Sequence, residues 1–248
     1  MSATKGRALW LPDVLRDAGL KVEVVPGWET RGKEPAEWLC QVLHHTAGPR
    51  RGMHPSLGTV TNGRGGSSPV PGPLCNALPA RDGVWHVVAS GAANHPGVSS
   101  IPYRGGIHQD VKYYALGWEA ENDGVGEPWA QLEAIEIGEA AVADYLGWRV
   151  DTSEIWGHKE IARPLGRKID PAGIDMDEHR AAVARRRTHH QEDIDMTADD
   201  LSKLIDAKLA PLAKDLAEVK RQLVVSDEGK GKTQRTVRHI VAADLRKP

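Results

Sequence analysis

At 248 residues, with a net charge of −2 and a pI near 6.6, the chain has no basic surplus, so whole-chain charge makes no case for nucleic acid as a partner. A hydrophobic share of 40% beside a charged share of 27% describes an ordinary soluble protein, long enough for one sizeable domain and an appendage. No run of 18 apolar residues is present, so no membrane insertion is expected.

The N-terminal stretch MSATKGRALWLPDVLRDAG lacks an apolar core followed by a small-residue cleavage site, and no signal peptide is expected from it. Residues 8–19 place Leu9, Leu11, Val14 and Leu15 on one face and end at Gly19, the pattern of a short helix. Residues 21–25 read as a strand and 27–35 as a loop. The apolar run 38–44 (WLCQVLH) predicts a buried strand ending at the histidines. From Gly48 to Pro73, Gly, Pro and Ser are dense, which predicts a long surface loop.

Residues 84–89 (VWHVVA) form the next predicted strand, with Asp82–Gly83 as its turn, and 90–110 a second long loop. Residues 114–121 (YALGWEAE) predict a strand with Glu119 and Glu121 on one face and Trp118 and Ala120 on the other. The strongest helix signal covers 128–146, with Pro near its first turn and Gly147 past its end. A short element at 155–158 leads into the GRKIDP loop, and a helix is predicted over 175–187.

Composition changes near residue 188. The sequence therefore divides into a domain at 1–187, a linker at 188–198 and a helical C-terminal segment at 199–248. In the last, Leu209, Leu212, Leu216, Val219 and Leu223 form a seam about two heptads long, a candidate for homo-oligomer formation. Ser226–Thr233 reads as a flexible break and 235–245 as a last helix, with basic residues from Lys230 to Lys247. Cys40 and Cys75 are expected as free thiols.

Two imidazoles and a carboxylate, each beside a turn signal, make the chemistry: VLHHTAG at His44–His45, WGHKE at His158 and GRKIDP at Asp170. Catalytic zinc takes three such ligands and leaves a fourth position open. A strand sends His44 and His45 to opposite faces, so only one can reach a given metal. Spacing alone does not decide the set.

The ordered motifs VLHHTAG, SGAANHPG, LGWEAEN and GHKE…GRKIDPAG, over residues 8–180, resemble the amidase-2 family. These are zinc N-acetylmuramoyl-L-alanine amidases related to peptidoglycan recognition proteins, and the chain is most similar to endolysins of phages that infect actinobacteria. The resemblance implies an α/β fold with a mixed central β-sheet flanked by helices. It implies Zn²⁺ held by His44, His158 and Asp170, with Glu119 as the acid/base and Lys168 steadying the oxyanion.

His95 and Asn94 match positions beside the substrate groove, with Pro73 and Asn76 in matching loops, and His45 is either a further substrate contact or a structural neighbour. Glu121 is the rival to Glu119, and Arg167 a surface or substrate contact. His86, His108, His179 and the His189–His190 pair are expected to be ordinary.

The implied substrate is peptidoglycan, cut at the amide between N-acetylmuramic acid and L-alanine. The implied setting is the host cytoplasm and then the wall, reached through a separate membrane pore. Muropeptide recycling, a virion-associated hydrolase and a non-catalytic receptor are the alternatives. Three departures from the family pattern stand out: two extra residues between His158 and Asp170, Trp118 before the Glu, and Pro96 after His95.

Overall fold

The structure is a computed structural model that describes residues 4–103 and 106–195, and beyond them only 203, 206 and 209–211. The chain divides into two units, Met1–Gln191 and Glu192–Pro248, and the central sheet and the candidate site belong to the first. Most of the predicted heptad, the Ser226–Thr233 break and the 235–245 helix lie outside the described residues.

In chain order the elements are α1 (Leu11–Asp17), β1 (Val22–Val24), β2 (Cys40–His45), α2 (Leu57–Asn62), β3 (Gly63–Arg64), β4 (Val70–Pro71), β5 (Ala77–Pro79), β6 (Trp85–Val87), β7 (Ser100–Tyr103), β8 (Gly106–Gln109), a 3₁₀ turn at Val111–Tyr113, β9 (Ala115–Ala120), α3 (Leu132–Leu146), β10 (Ile155–Gly157), α4 (His158–Ile161) and α5 (Met176–Asp195). Six strands form one sheet in the order β1-β6-β5-β9-β2-β10, and β3-β4 and β7-β8 are separate two-stranded pairs. Within the large sheet only β5 and β6 run antiparallel, so it is mixed as expected, with β9, β2 and β10 mutually parallel.

Alternation along β2 sorts its side chains to two faces. Leu43 joins Trp38, Trp85, Trp118 and residues of α1 and α3, including Leu11, Leu15, Ile135 and Val142, in the main core. Trp85 and Trp118 meet edge to face at 5.3 Å, a geometry worth about 0.5–1.5 kcal/mol beyond the area it buries. The indole of Trp118 donates to Gln41 Oε1 at 3.0 Å, and Gln41 Nε2 donates to the Glu139 carbonyl of α3 at 2.9 Å, so the polar group on this face is satisfied. Three tryptophans, Trp38, Trp85 and Trp118, thus anchor this core. On the opposite face Cys40 and Val42 pack with Ile101, Val111, Ala115, Trp156 and Ile161. Cys40 and Cys75 are buried, separate thiols.

Several expectations needed revision. The 48–73 stretch contains α2 and the β3–β4 pair, and 90–110 contains β7 and β8; Leu57 and Val60 are too short an apolar spacing to register as a helix. Strand β5 lies in a Pro-rich stretch and is three residues long, below what alternation can detect. Helix α3 begins at Leu132, not Pro128, because the Pro128–Gln131 stretch closes as a turn through Leu132 N–H to the Trp129 carbonyl at 3.1 Å. It ends as predicted, with Gly147 left-handed at φ 67°. Helix α5 runs past Arg187 to Asp195, so the start of the predicted linker is helical.

Among the described residues no helix is long and apolar enough to cross a membrane.

Candidate active site

Parallel register builds the site. β2 pairs with β9 so that His44 lies opposite Glu119, and β10 pairs with β2 so that Gly157 lies opposite Leu43. The next residue, His158, therefore emerges level with His44. Three neighbouring strands deliver Glu119, His44 and His158 side by side at their carboxyl ends, the usual place for a site in a parallel sheet.

His158 is the first residue of α4, whose N-terminus is closed by the Glu160 carboxylate accepting from Gly157 N–H at 2.7 Å. Arg180 of α5 grips the same carboxylate from both guanidinium nitrogens at 3.1 Å. A Cβ at Gly157 would lie 3.0 Å from Met176 and from Pro171, so the small residue lets the Asp170-bearing loop close against the strand end. That loop is tied to α4 by Lys159 N–H donating to the Asp170 carbonyl at 2.8 Å and by Lys159 Nζ donating to Ile174.

The two extra residues before Asp170 do not displace it. The loop bows outward over 164–167, where Arg167 donates to the Val98 and Arg163 carbonyls, and Asp170 returns to the strand ends. Its Oδ2 lies 2.8 Å from His158 Nδ1 and 3.0 Å from His44 Nδ1. One ligand atom from each of the three fits within 4.8 Å of the others, and all three residues are buried.

The outer nitrogens say where the ring protons are. His158 Nε2 faces the Pro96 carbonyl at 2.9 Å, which can only accept, so the proton sits there and, in the neutral ring, Nδ1 carries a lone pair. Only the backbone of Pro96 is used, so its departure from the family pattern leaves this contact intact. Burial, then the neighbouring His158, lowers His44 to a pKa of about 4, which keeps that ring neutral near pH 7.

Burial works to raise the Asp170 carboxyl, but the two imidazoles beside it, His158 and His44, outweigh it and hold it well below the ordinary range. With both rings in the neutral form that ligation uses, the two imidazoles and the carboxylate aim electron pairs at one point. This donor set could hold a divalent cation, and a cation would relieve the crowding of lone pairs.

Glu119 is raised well above the ordinary carboxyl range, by burial and then by the charge of Asp170, with Lys168 opposing. Lys168 sits two residues before Asp170, partly exposed, near enough for its charge to act on His44, His45 and Glu119.

Glu121 follows the end of β9 and is fully buried. Its carboxylate accepts from Ser56 N–H, Ser56 Oγ and Thr46 Oγ1, each at 2.8 Å, which commits it to the 46–56 loop.

Other candidates fall elsewhere. His45 points to the opposite face from His44, beside Trp129, and its Nδ1 accepts from Ala172 N–H at 3.1 Å; this is the structural part of its two expected roles, supporting the loop after Asp170. His95, expected beside the substrate groove, is buried behind His44 and 2.9 Å from its Nε2. No spacing signal in the sequence announces that contact. Asn94 donates to the Pro71 carbonyl at 2.9 Å and lines an open cavity of about 390 Å³ with Val70, Val98 and Lys112.

Asn76, expected to shape the groove, is instead a buried hub that bonds the carbonyls of Ala89 and Gly91 and the N–H of Gly117. His86 and His179 are buried, away from the cluster.

Comparison with known proteins bears on this arrangement. No curated protein matches the chain. Among solved structures it is similar to a selenomethionine derivative of AmpD, at 21% identity over 66% of this chain and 93% of that one, with a TM-score of 0.46. It is also similar to the endolysin amidase LysCS from Clostridium intestinale URNW, at 15% identity over 66% and 95% with a TM-score of 0.45. A third is the hydrolase AmiA of Staphylococcus aureus in complex with its ligand, at 12% identity over 74% and 92% with a TM-score of 0.46.

The family model for N-acetylmuramoyl-L-alanine amidase (Amidase_2) matches residues 35–173, a span that runs from just before β2 through Glu119 to the loop carrying Asp170. With more than half of its length in that match, the chain belongs to the Amidase_2 family of N-acetylmuramoyl-L-alanine amidases and is a peptidoglycan amidase.

Proposed function

We propose that the chain is a zinc-dependent endolysin that cuts the amide between the lactyl group of N-acetylmuramic acid and L-alanine, with His44, His158 and Asp170 as the zinc ligands. The convergence of two imidazole Nδ1 atoms on one Asp170 oxygen, with the His158 proton turned outward to Pro96, carries the metal reading. Zinc held there supplies Lewis acidity, which lowers the pKa of water and polarises a carbonyl.

The chain's own residues do the rest. Glu119, level with His44 on the neighbouring strand and with its proton affinity raised by burial and by Asp170, is placed to take a proton from the attacking water and deliver it to the departing alanine nitrogen. That raised proton affinity favours holding the proton until the second half of the reaction. Lys168 is the cation that offsets negative charge on the scissile carbonyl oxygen. Glu121 is spent on its loop, which supports Glu119 in the acid/base role.

The phage assignment rests on the four ordered motifs and their likeness to actinobacteriophage endolysins. In the same reading residues 1–187 are the amidase domain, and 199–248 are an appendage for wall binding or self-association.

Digestion of purified peptidoglycan with and without a chelator tests the reaction. Chelator-sensitive release of N-terminal alanine, with no new reducing sugar ends, is expected. Amine release indifferent to chelation defeats the zinc reading, and activity confined to small soluble muropeptides, with intact wall untouched, defeats the endolysin reading.

A further inference from the structure

His95 belongs to no ligand set, yet it is placed where it controls one. Its Nε2 faces the Ala115 carbonyl at 3.2 Å, and its Nδ1 faces His44 Nε2 at 2.9 Å. The two rings stand nearly perpendicular, 86° apart, with centroids 5.0 Å from each other. A carbonyl only accepts, so His95 Nε2 carries the proton and its Nδ1 presents a lone pair to His44. His44 must then donate from Nε2, which leaves His44 Nδ1 bare and turned toward Asp170 Oδ2. Proton positions propagate from a strand carbonyl, through two rings, to the ligand atom.

A second observation is independent of those hydrogen bonds. Gly117, in the middle of β9, has no left-handed φ to explain it. A Cβ there would lie 2.5–2.7 Å from Cγ, Cδ2 and Nδ1 of His95. The missing side chain is the space in which the imidazole lies against the strand. Asn76 holds that backbone on both sides, accepting from Gly117 N–H and donating its own N–H to the Gly117 carbonyl, each at 2.9 Å.

We propose that His95 is a positioning residue: seated on Gly117 and anchored to the Ala115 carbonyl, it holds His44 in the Nε2–H tautomer that a metal ligand at Nδ1 requires. This rests on the zinc reading above and adds to it the residue that prepares the ligand before metal arrives. Removing an outer partner of a metal-ligating histidine costs about 10–100-fold in metal affinity.

The test uses the full chain stripped of metal. Zinc affinity is measured by competition with a chromophoric chelator, and the His44 tautomer by ¹⁵N chemical shifts. Wild type is expected to show His44 as Nε2–H and to bind one zinc ion in a His44-dependent manner. His95→Leu should weaken zinc by about 10–100-fold and release the tautomer. Gly117→Ala, which keeps both histidines, should do the same by pushing the ring away. His95→Asn, whose side-chain oxygen can accept where Nδ1 did, should restore most of the affinity.

His95→Leu with wild-type zinc affinity and an unchanged tautomer overturns the inference while leaving the zinc site intact. Absence of His44-dependent zinc binding in the wild type overturns the zinc reading and this inference with it. If His95→Leu does not fold, the wild-type spectrum still decides, because His44 protonated at Nδ1 contradicts the proposal.

Discussion

Two regions of the molecule bury histidine against carboxylate and reach opposite electrostatic ends. At the strand ends, His44 and His158 share one oxygen of Asp170, and their outer nitrogens are taken by His95 and the Pro96 carbonyl. Between α3 and α5, His179 Nε2 meets Glu139 Oε2 one to one at 2.6 Å, with His179 Nδ1 and Glu139 Oε1 buried and unpartnered. Burial opposes charge on His179, but Glu139 outweighs it and lifts that histidine above its ordinary value of 6.5.

His44 is lowered to about 4, by burial and then by the neighbouring His158. The same residue types therefore make a closed ion pair in one place and an electron-rich socket in the other.

The comparison breaks most sharply at the socket. Replacing His44, His158 or Asp170 by Ala is expected to abolish zinc retention and amide hydrolysis together. Metal content after gel filtration and the amine-release assay read the two effects, and a fully active variant removes that residue from the ligand set. Next in size is Glu119→Gln. Zinc should stay and kcat should fall by about 10²–10⁴-fold, the contribution of a well-placed acid/base. Loss of zinc in that variant would mean that Glu119 acts through the ligands rather than on the substrate.

The closed pair should behave as structure. His179→Gln leaves Glu139 buried without its cation, and breaking a buried pair costs about 3–5 kcal/mol. Thermal unfolding should show that loss while kcat of the folded enzyme holds. The sign of the pH dependence comes from the raised pKa. The pair's contribution is complete below about pH 6.5 and is lost as pH rises through the higher folded value. The wild-type advantage over His179→Gln should therefore shrink as pH rises above about 6.5. An advantage that grows with pH would mean the pair is not held charged.

The legibility of the site in the sequence is set by what alternation and motifs can encode. His44, His158, Asp170 and Glu119 sit in ordered motifs, and parallel register brings His44, His158 and Glu119 level without further information. His95 was visible as a motif residue but not as the neighbour of His44, because that contact joins positions 51 apart through a loop with no periodicity. Gly117 reads as a mere weakness in a strand until the ring lying on it is seen. The same limit hid α2 and the short strand β5, whose few residues carry less pattern than the Pro and Gly around them. His179 carried no signal for a partner on α3, since neither helix's own repeat specifies which charged positions meet across a tertiary contact.

The smallest expected effect separates Glu119 from Glu121, which alternation alone could not rank because positions two apart in a strand share a face. Strand β9 ends at Ala120, so Glu121 leaves that alternation, and its two oxygens are occupied by Ser56 and Thr46. Glu121→Gln trades charge-assisted acceptance for neutral hydrogen bonds and gives Ser56 and Thr46 a donor where both now donate. The expected cost is about 1–2 kcal/mol of stability, since bonds to a charged group exceed neutral ones by roughly that amount.

Zinc content and kcat of the folded fraction should stay within about two-fold of wild type, because Glu121 touches neither ligand nor groove. Urea unfolding and amine release measured on one preparation distinguish the two losses. A fall in kcat comparable to that of Glu119→Gln, at unchanged stability, would move the proton-transfer role two residues along the chain and require the Ser56 contacts to open during turnover.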